Sequence, residues 1–192
     1  MNQNIVEFGL KNLHIGPYTV GQDGTATLGE GVAVPGLVSL GLEAESELYK
    51  FFADNVVYYS EYTDQGESGD LTMALIPDQF KIDYLGFKEM ADGGIAKIKG
   101  VQGQAFWMAF EGEGDKHKRR HVMLNVIGGA IQREYRTIGE SKEVDTEVVP
   151  LTINGDNASG IVKISYNPTD AGYDTAFTAP TVPAEAEEPE TP

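Results

Sequence analysis

Cysteine is absent from this 192-residue chain, which excludes a disulfide framework, thiolate zinc sites and cysteine nucleophiles together. Basic residues are few. Against 30 Asp and Glu stand 14 Lys and Arg, a formal net charge of −16 that opposes binding of DNA or anionic lipid through the bulk surface. No run approaches 18 uninterrupted apolar residues, so no membrane-spanning helix is expected. The opening MNQNIVEFGLKN has neither a basic nor an apolar region of the secretory kind, so no export signal is expected. What is present is 41% hydrophobic and 23% charged, a globular composition of a size suited to one domain, or one domain with arms. The expectation is a soluble, acidic protein of a reducing compartment.

Glycine is abundant, 23 residues, and dispersed between short runs rich in Val, Ile, Tyr, Phe and Thr, the pattern of many strands joined by turns. Residues 36–44 (GLVSLGLEA) alternate, with Val38, Leu40, Leu42 and Ala44 on one face. Residues 56–62 (VVYYSEY) and 71–76 predict a hairpin with a long polar tip between them. Residues 104–110 (QAFWMAF) and 122–127 form a second pair around a charged loop at 111–120. In residues 122–127, Val122, Leu124 and Val126 face one way and Met123 and Ile127 the other, which predicts burial on both sides. Residues 147–153 and 161–166 flank NGDNASG, a third hairpin signal, although Pro150 implies an edge or a bulge there. One helix is expected over 77–85. Pro77 suits its first position, Asp78 its first turn, and Gly86 its end, while Phe80, Tyr84 and Leu85 share a face. Eight to ten strands with one short helix make an all-β fold, an antiparallel sandwich or barrel.

Chemistry is sparse. His117 and His121 have the i, i+4 spacing of a zinc pair, but they lie on a turn entering a strand among four positive residues, so no metal site is expected. Asp64, Glu67 and Asp70 cluster among Gly and Ser, where a solvated loop is expected and not a carboxylate poised for acid–base work. No phosphate-binding loop and no nucleophile elbow is legible, and Asn157-Ala158-Ser159 reads as turn residues. The protein is expected not to be an enzyme and to need no cofactor. Lys116, Lys118, Arg119 and Arg120 stand out as positive charges in a negative chain. Beside the reading of an exposed tip with offsetting charges, they form a candidate self-assembly patch for an acidic surface of another copy. Candidates for that acidic surface are Glu43, Glu45 and Glu47, the Asp64/Glu67/Asp70 group, and the C-terminal tail.

Three ordered blocks carry a resemblance: residues 53–86, with GDLTMALIPDQF; residues 106–125, with GDKHKRRHVMLN; and residues 146–153, TEVVPLTI. Together they resemble the major tail proteins of siphophages, over most of residues 5–166. The resemblance implies an all-β tail-tube-type fold with a flanking helix over 77–85. It also implies a structural virion protein whose rings, commonly hexameric, stack into a tube through which DNA passes without specific binding. Partners implied are other copies of the chain, within and between rings, and the tape-measure, tail-tip and tail-terminator proteins. The implied location is the virion tail, assembled in the host cytoplasm. On that template residues 56–76 form a hairpin reaching towards a neighbour. The expected organisation is one tube domain over 1–166 with an N-terminal arm, then an acidic Pro/Glu-rich extension over 167–192 that is extended or disordered in isolation. The alternative is a β-sandwich binding module for a glycan or protein surface, with Tyr58, Tyr62 and Trp107 clustered on one face.

Overall fold

The computed structural model describes residues 9–137 and 144–184, and the expected N-terminal arm and the end of the extension lie largely outside them. Twelve strands and one helix are formed in chain order. They are β1 (Leu10–Val20), β2 (Ala26–Leu28), β3 (Val32–Ala33), β4 (Leu37–Ala53), β5 (Val56–Met73), α1 (Asp78–Tyr84), β6 (Phe87–Glu89), β7 (Ile95–Lys97), β8 (Phe106–Gly112), β9 (Arg120–Gly128), β10 (Gln132–Arg133), β11 (Glu147–Ile153) and β12 (Lys163–Tyr166). Ten strands form one antiparallel sheet with the path β2-β1-β8-β9-β11-β5-β4, and β6–β7 is a separate hairpin. The sheet curls until β4 meets β1. The fold is all-β with a single short helix, as expected.

The two-sided alternation of β8 and β9 creates two cores. Phe106, Met108 and Phe110 point inward to a cluster with Leu71, Met73, Val149 and Leu151. Trp107 and Ala109 point outward with Val122 and Leu124. The helix seals the inner core. Phe80 is buried, and its ring meets Phe106 edge-on at 5.6 Å, while Gly86 follows with φ +74°. Glu147, buried at the start of β11, holds this region. It accepts the Ile76 N–H at 2.8 Å and pairs with Arg133 at 3.0 Å.

Four local readings are corrected. Residues 56–76 do not fold back on themselves, because β5 is one continuous strand through the polar segment, and its turn is Asp54-Asn55. Both residues have positive φ (51° and 61°), the two-residue loop whose twist suits a hairpin. In β4 a register shift between Leu37 and Ser39 leaves Val38 exposed and puts Leu37 on the core with Leu40 and Leu42. In β9 Asn125 adopts φ 51°, which reverses the alternation. Val126 therefore joins Met123 in the inner core, and Ile127 faces solvent. Asn tolerates this conformation better than β-branched residues, and here its side-chain amide donates to the Gly155 carbonyl at 2.8 Å.

The fourth concerns residues 147–166, which form no hairpin. Strands β11 and β12 lie one after the other along β9, separated by a loop. Asp156 organises that loop, accepting from the Tyr18 hydroxyl (2.9 Å) and from the Ser159 hydroxyl (2.7 Å) and N–H (2.8 Å). Burial pushes the Asp156 carboxyl up, but these donors outweigh it and hold it below the usual carboxylate range. Pro150 sits inside the sheet and not at an edge. Its carbonyl accepts from Gly129, so its missing N–H faces the gap between the end of β9 and the start of β10.

The outer core is covered by residues 167–184, which differ from the extended or disordered expectation. Ala176 and Phe177 are buried against Trp107, with Val182 beside them. These apolar residues lie among the prolines and anchor a strap of successive turns. Its route depends on Gly31, where a Cβ would lie 2.2 Å from the Phe177 carbonyl oxygen and 2.5 Å from the Trp107 ring.

Candidate self-assembly surface

Past Glu67, where pairing with Ile153 of β11 ends, β4 and β5 continue as a two-stranded arm over residues 44–65. The arm leaves the sheet at a bulge. Ala44 pairs with Glu67 and Ser46 with Asp64, so Gln65 and Gly66 oppose Glu45. Gly66 has φ +104°, and a Cβ there would lie 2.3 Å from the Ile153 carbonyl oxygen. Only glycine fits that conformation and that approach.

Directly paired residues share a face, so the register divides the arm. One face carries Leu48 with Tyr62, Lys50 with Ser60, and Phe52 with Val57; the other carries Glu47 with Thr63, Tyr49 with Glu61, and Phe51 with Tyr59. Neither face is covered. Nine large apolar side chains from Leu48 to Tyr62 are 37–76% exposed, Tyr58 most of all. Such side chains together present on the order of 1,000 Å², comparable with the roughly 800 Å² that each partner contributes to a standard interface. Divided between the two faces, this is roughly 500 Å² on each, the size of patch that on a monomer is often functional. Both outer edges of the arm also lack a strand partner among the described residues.

The charged residues singled out in the sequence are dispersed. Asp64 lies on the arm, where its carboxylate accepts the Gly66 N–H at 3.0 Å. By alternation Glu67 shares the core-facing side with Leu71 and Met73, and it pairs with Lys163 at 3.1 Å. Asp70 lies on the opposite face, across from Pro150 and Gly41. They do not form one cluster.

The four basic residues also divide. Lys116 and Lys118 are exposed on the loop 113–119, and no ion pair is made by either among the described residues. Arg119 turns inward to Asp115 at 3.0 Å. Arg120 lies between the rings of Tyr173 (4.0 Å) and Phe177 (4.4 Å) and donates to the Tyr173 carbonyl at 2.6 Å, so it fastens the strap. Asp115 orders the loop. Burial pushes its carboxyl up, but the N–H groups of Arg119 and His117 and the Arg119 guanidinium more than reverse this, lowering it to about 2.

His121 contacts the Ser165 hydroxyl at 2.8 Å and packs beside Phe110. Among the described residues no group of three His, Cys, Asp or Glu could hold a metal, and no helix is long and apolar enough to cross a membrane. Trp107 is fully buried beneath the strap, so it forms no exposed cluster with Tyr58 and Tyr62. What sequence reading missed was the extent of the arm. Its signal was the Asp54-Asn55 pair between the apolar runs Phe51-Phe52 and Val56-Val57. Asp115 takes partners only two and four residues ahead, His117 and Arg119, a local pattern that was missed, whereas the strap partners of Arg120 are more than fifty residues away and had no local signal.

Neither a family model nor a curated protein matches this sequence. Among solved structures, the chain is similar to one in the sheath/tube terminator of an extracellular contractile injection system in its extended state. That match has 9% identity and a TM-score of 0.49, covering 85% of this chain and 99% of that one. It is similar to a chain of the anti-feeding prophage baseplate, with 9% identity and a TM-score of 0.46, covering 88% of this chain and 99% of that one. A chain of the injection system's sheath–tube complex has 8% identity and a TM-score of 0.46, covering 83% and 91%. These are likenesses of shape alone.

Proposed function

We propose that this chain is a structural protein of a phage-tail-like particle, a tube subunit that associates with copies of itself and performs no catalysis. The sequence resemblance to siphophage major tail proteins supports the class. The observation that carries self-association is the arm, which projects from the body with apolar side chains on both faces and two edges unpaired among the described residues. A solitary protein gains nothing by displaying such a surface, and blunting of strand edges is the usual defence against it. Copies of the chain form rings, six-membered on the family pattern, and the rings stack into a conduit for DNA. Tape-measure, tip and terminator proteins are its other partners, and the particle is assembled in the host cytoplasm. The net charge of −16 suits a conduit, because a wall that neutralised phosphates at many sites would hold the duplex by multivalency.

Electron microscopy of the purified chain, concentrated or mixed with tail-tip proteins, tests this reading. Rings or tubes are expected. A compact monomer under all these conditions would overturn it.

A further inference from the structure

The register places two features at one end of the molecule. Strands β5 and β9 are both antiparallel to β11 between them, and Glu67, Ile153 and Val126 lie at one height. From that height β5 runs back towards Val56, and β9 runs back towards Arg120, so the arm and the loop 113–119 leave the sheet in the same direction. At about 3.3 Å per residue, the arm reaches roughly 36 Å past Glu67, while the loop begins roughly 20 Å past Val126. Helix α1 and the β6–β7 hairpin lie at the opposite end.

These two features carry opposite charge. Residues 43–64 contain six acidic side chains (Glu43, Glu45, Glu47, Asp54, Glu61 and Asp64) against Lys50 alone. Lys50 and Asp64 lie on one face of the arm; the other combines Glu47 and Glu61 with Tyr49, Phe51 and Tyr59 and carries no cation. The loop is held in shape from inside by Asp115, which leaves Lys116 and Lys118 outward. Further along β5, outside this row, Glu67 already pairs with a lysine of the same chain, Lys163.

We propose that the arm of one copy lies across the 113–119 loop of a second copy in the same ring, with Glu47 and Glu61 facing Lys116 and Lys118. The inference rests on the tube reading and deepens it, because it assigns the arm to lateral contact within a ring and not to stacking. Rotation about an axis along the strands keeps arm and loop of neighbouring copies at one height, the kind of head-to-tail contact that makes a ring when the rotation closes. Stacking would instead bring the arm tip against α1 and β6–β7 of the next ring. The apolar side chains of this arm face supply buried area, and the charge pairs fix orientation.

The absence of cysteine makes the test direct. Purified Glu47→Cys and Lys116→Cys chains are mixed, allowed to assemble, and treated with a short bismaleimide. A cross-linked dimer is expected from the mixture and not from Glu47→Cys mixed with Lys97→Cys, which reports the opposite end. Independently, Lys116→Glu with Lys118→Glu should slow assembly about tenfold at a fixed low salt concentration. Adding Glu47→Lys and Glu61→Lys in the same chain should restore the rate. Tubes that form with cross-links only to Lys97→Cys, or at an unchanged rate after loop charge reversal, overturn the lateral contact and leave the tube reading standing. A wild-type chain that never associates overturns both.

Discussion

Arg120 shows how much a single side chain can join. Its guanidinium lies between Tyr173 and Phe177, on a strand whose next residues line both cores. Arg120→Ala removes the stacking and the bond to the Tyr173 carbonyl, so the strap should loosen and wet the face beneath it. Since Trp107 is the one tryptophan, its fluorescence reports this directly, and a red-shifted emission with a lowered melting temperature is expected. Phe177→Ala should do the same more severely, at about 3 kcal/mol, the scale for deleting a buried phenyl ring. Asp115 supports a different prediction. Its carboxyl stands near 2 in the folded chain against 3.8 when unperturbed, so its contribution is complete above about pH 4 and is lost as pH falls towards 2. Amide exchange at His117 and Arg119 should accelerate over that window, and Asp115→Asn should abolish the step.

At the scale of elements, the arm is separable from the body because the bulge at Gly66 stands between them. Replacing residues 46–64 with a short turn should leave Trp107 emission and the two cores unchanged while abolishing self-association, as read by light scattering. Gly66→Ala is expected to damage both, since the new Cβ meets the Ile153 carbonyl within the β5–β11 pairing. The helix illustrates what is legible locally. Pro77, Asp78, Phe80 and Gly86 set its start, its buried face and its end, and all four act within a few residues of one another. The arm was legible only in part, because the Asp54-Asn55 turn is local but the partner of residues 63–70 is not. Those polar residues read as a loop until pairing with β4, and from Glu67 onward with β11 as well, satisfies their backbone.

For the whole molecule the decisive facts are charge and curvature. A chain at −16 should not shift duplex DNA in an electrophoretic mobility assay even at low salt, where non-specific binding is strongest. Curvature closes one face of the sheet around the inner core, and the strap covers part of the other. The arm is left with apolar side chains exposed on both faces. Asp64, Glu67 and Asp70, close together in sequence, end on the arm, on the core-facing side and on the opposite face. Alternation along a strand separates neighbours, and the bulge changes its phase.

The amino-acid sequence by itself determined the all-β class, the short helix, the two-sided strands β8 and β9, and the acidity, because composition, alternation and turn chemistry act over a few residues. Tertiary structure alone decided which strands pair, where Asn125 and Gly66 reverse or redirect a face, that the strap covers Trp107, and which lysines remain outward. Each of these depends on groups brought together from distant parts of the chain, and a one-residue change of register moves a side chain from the core to solvent.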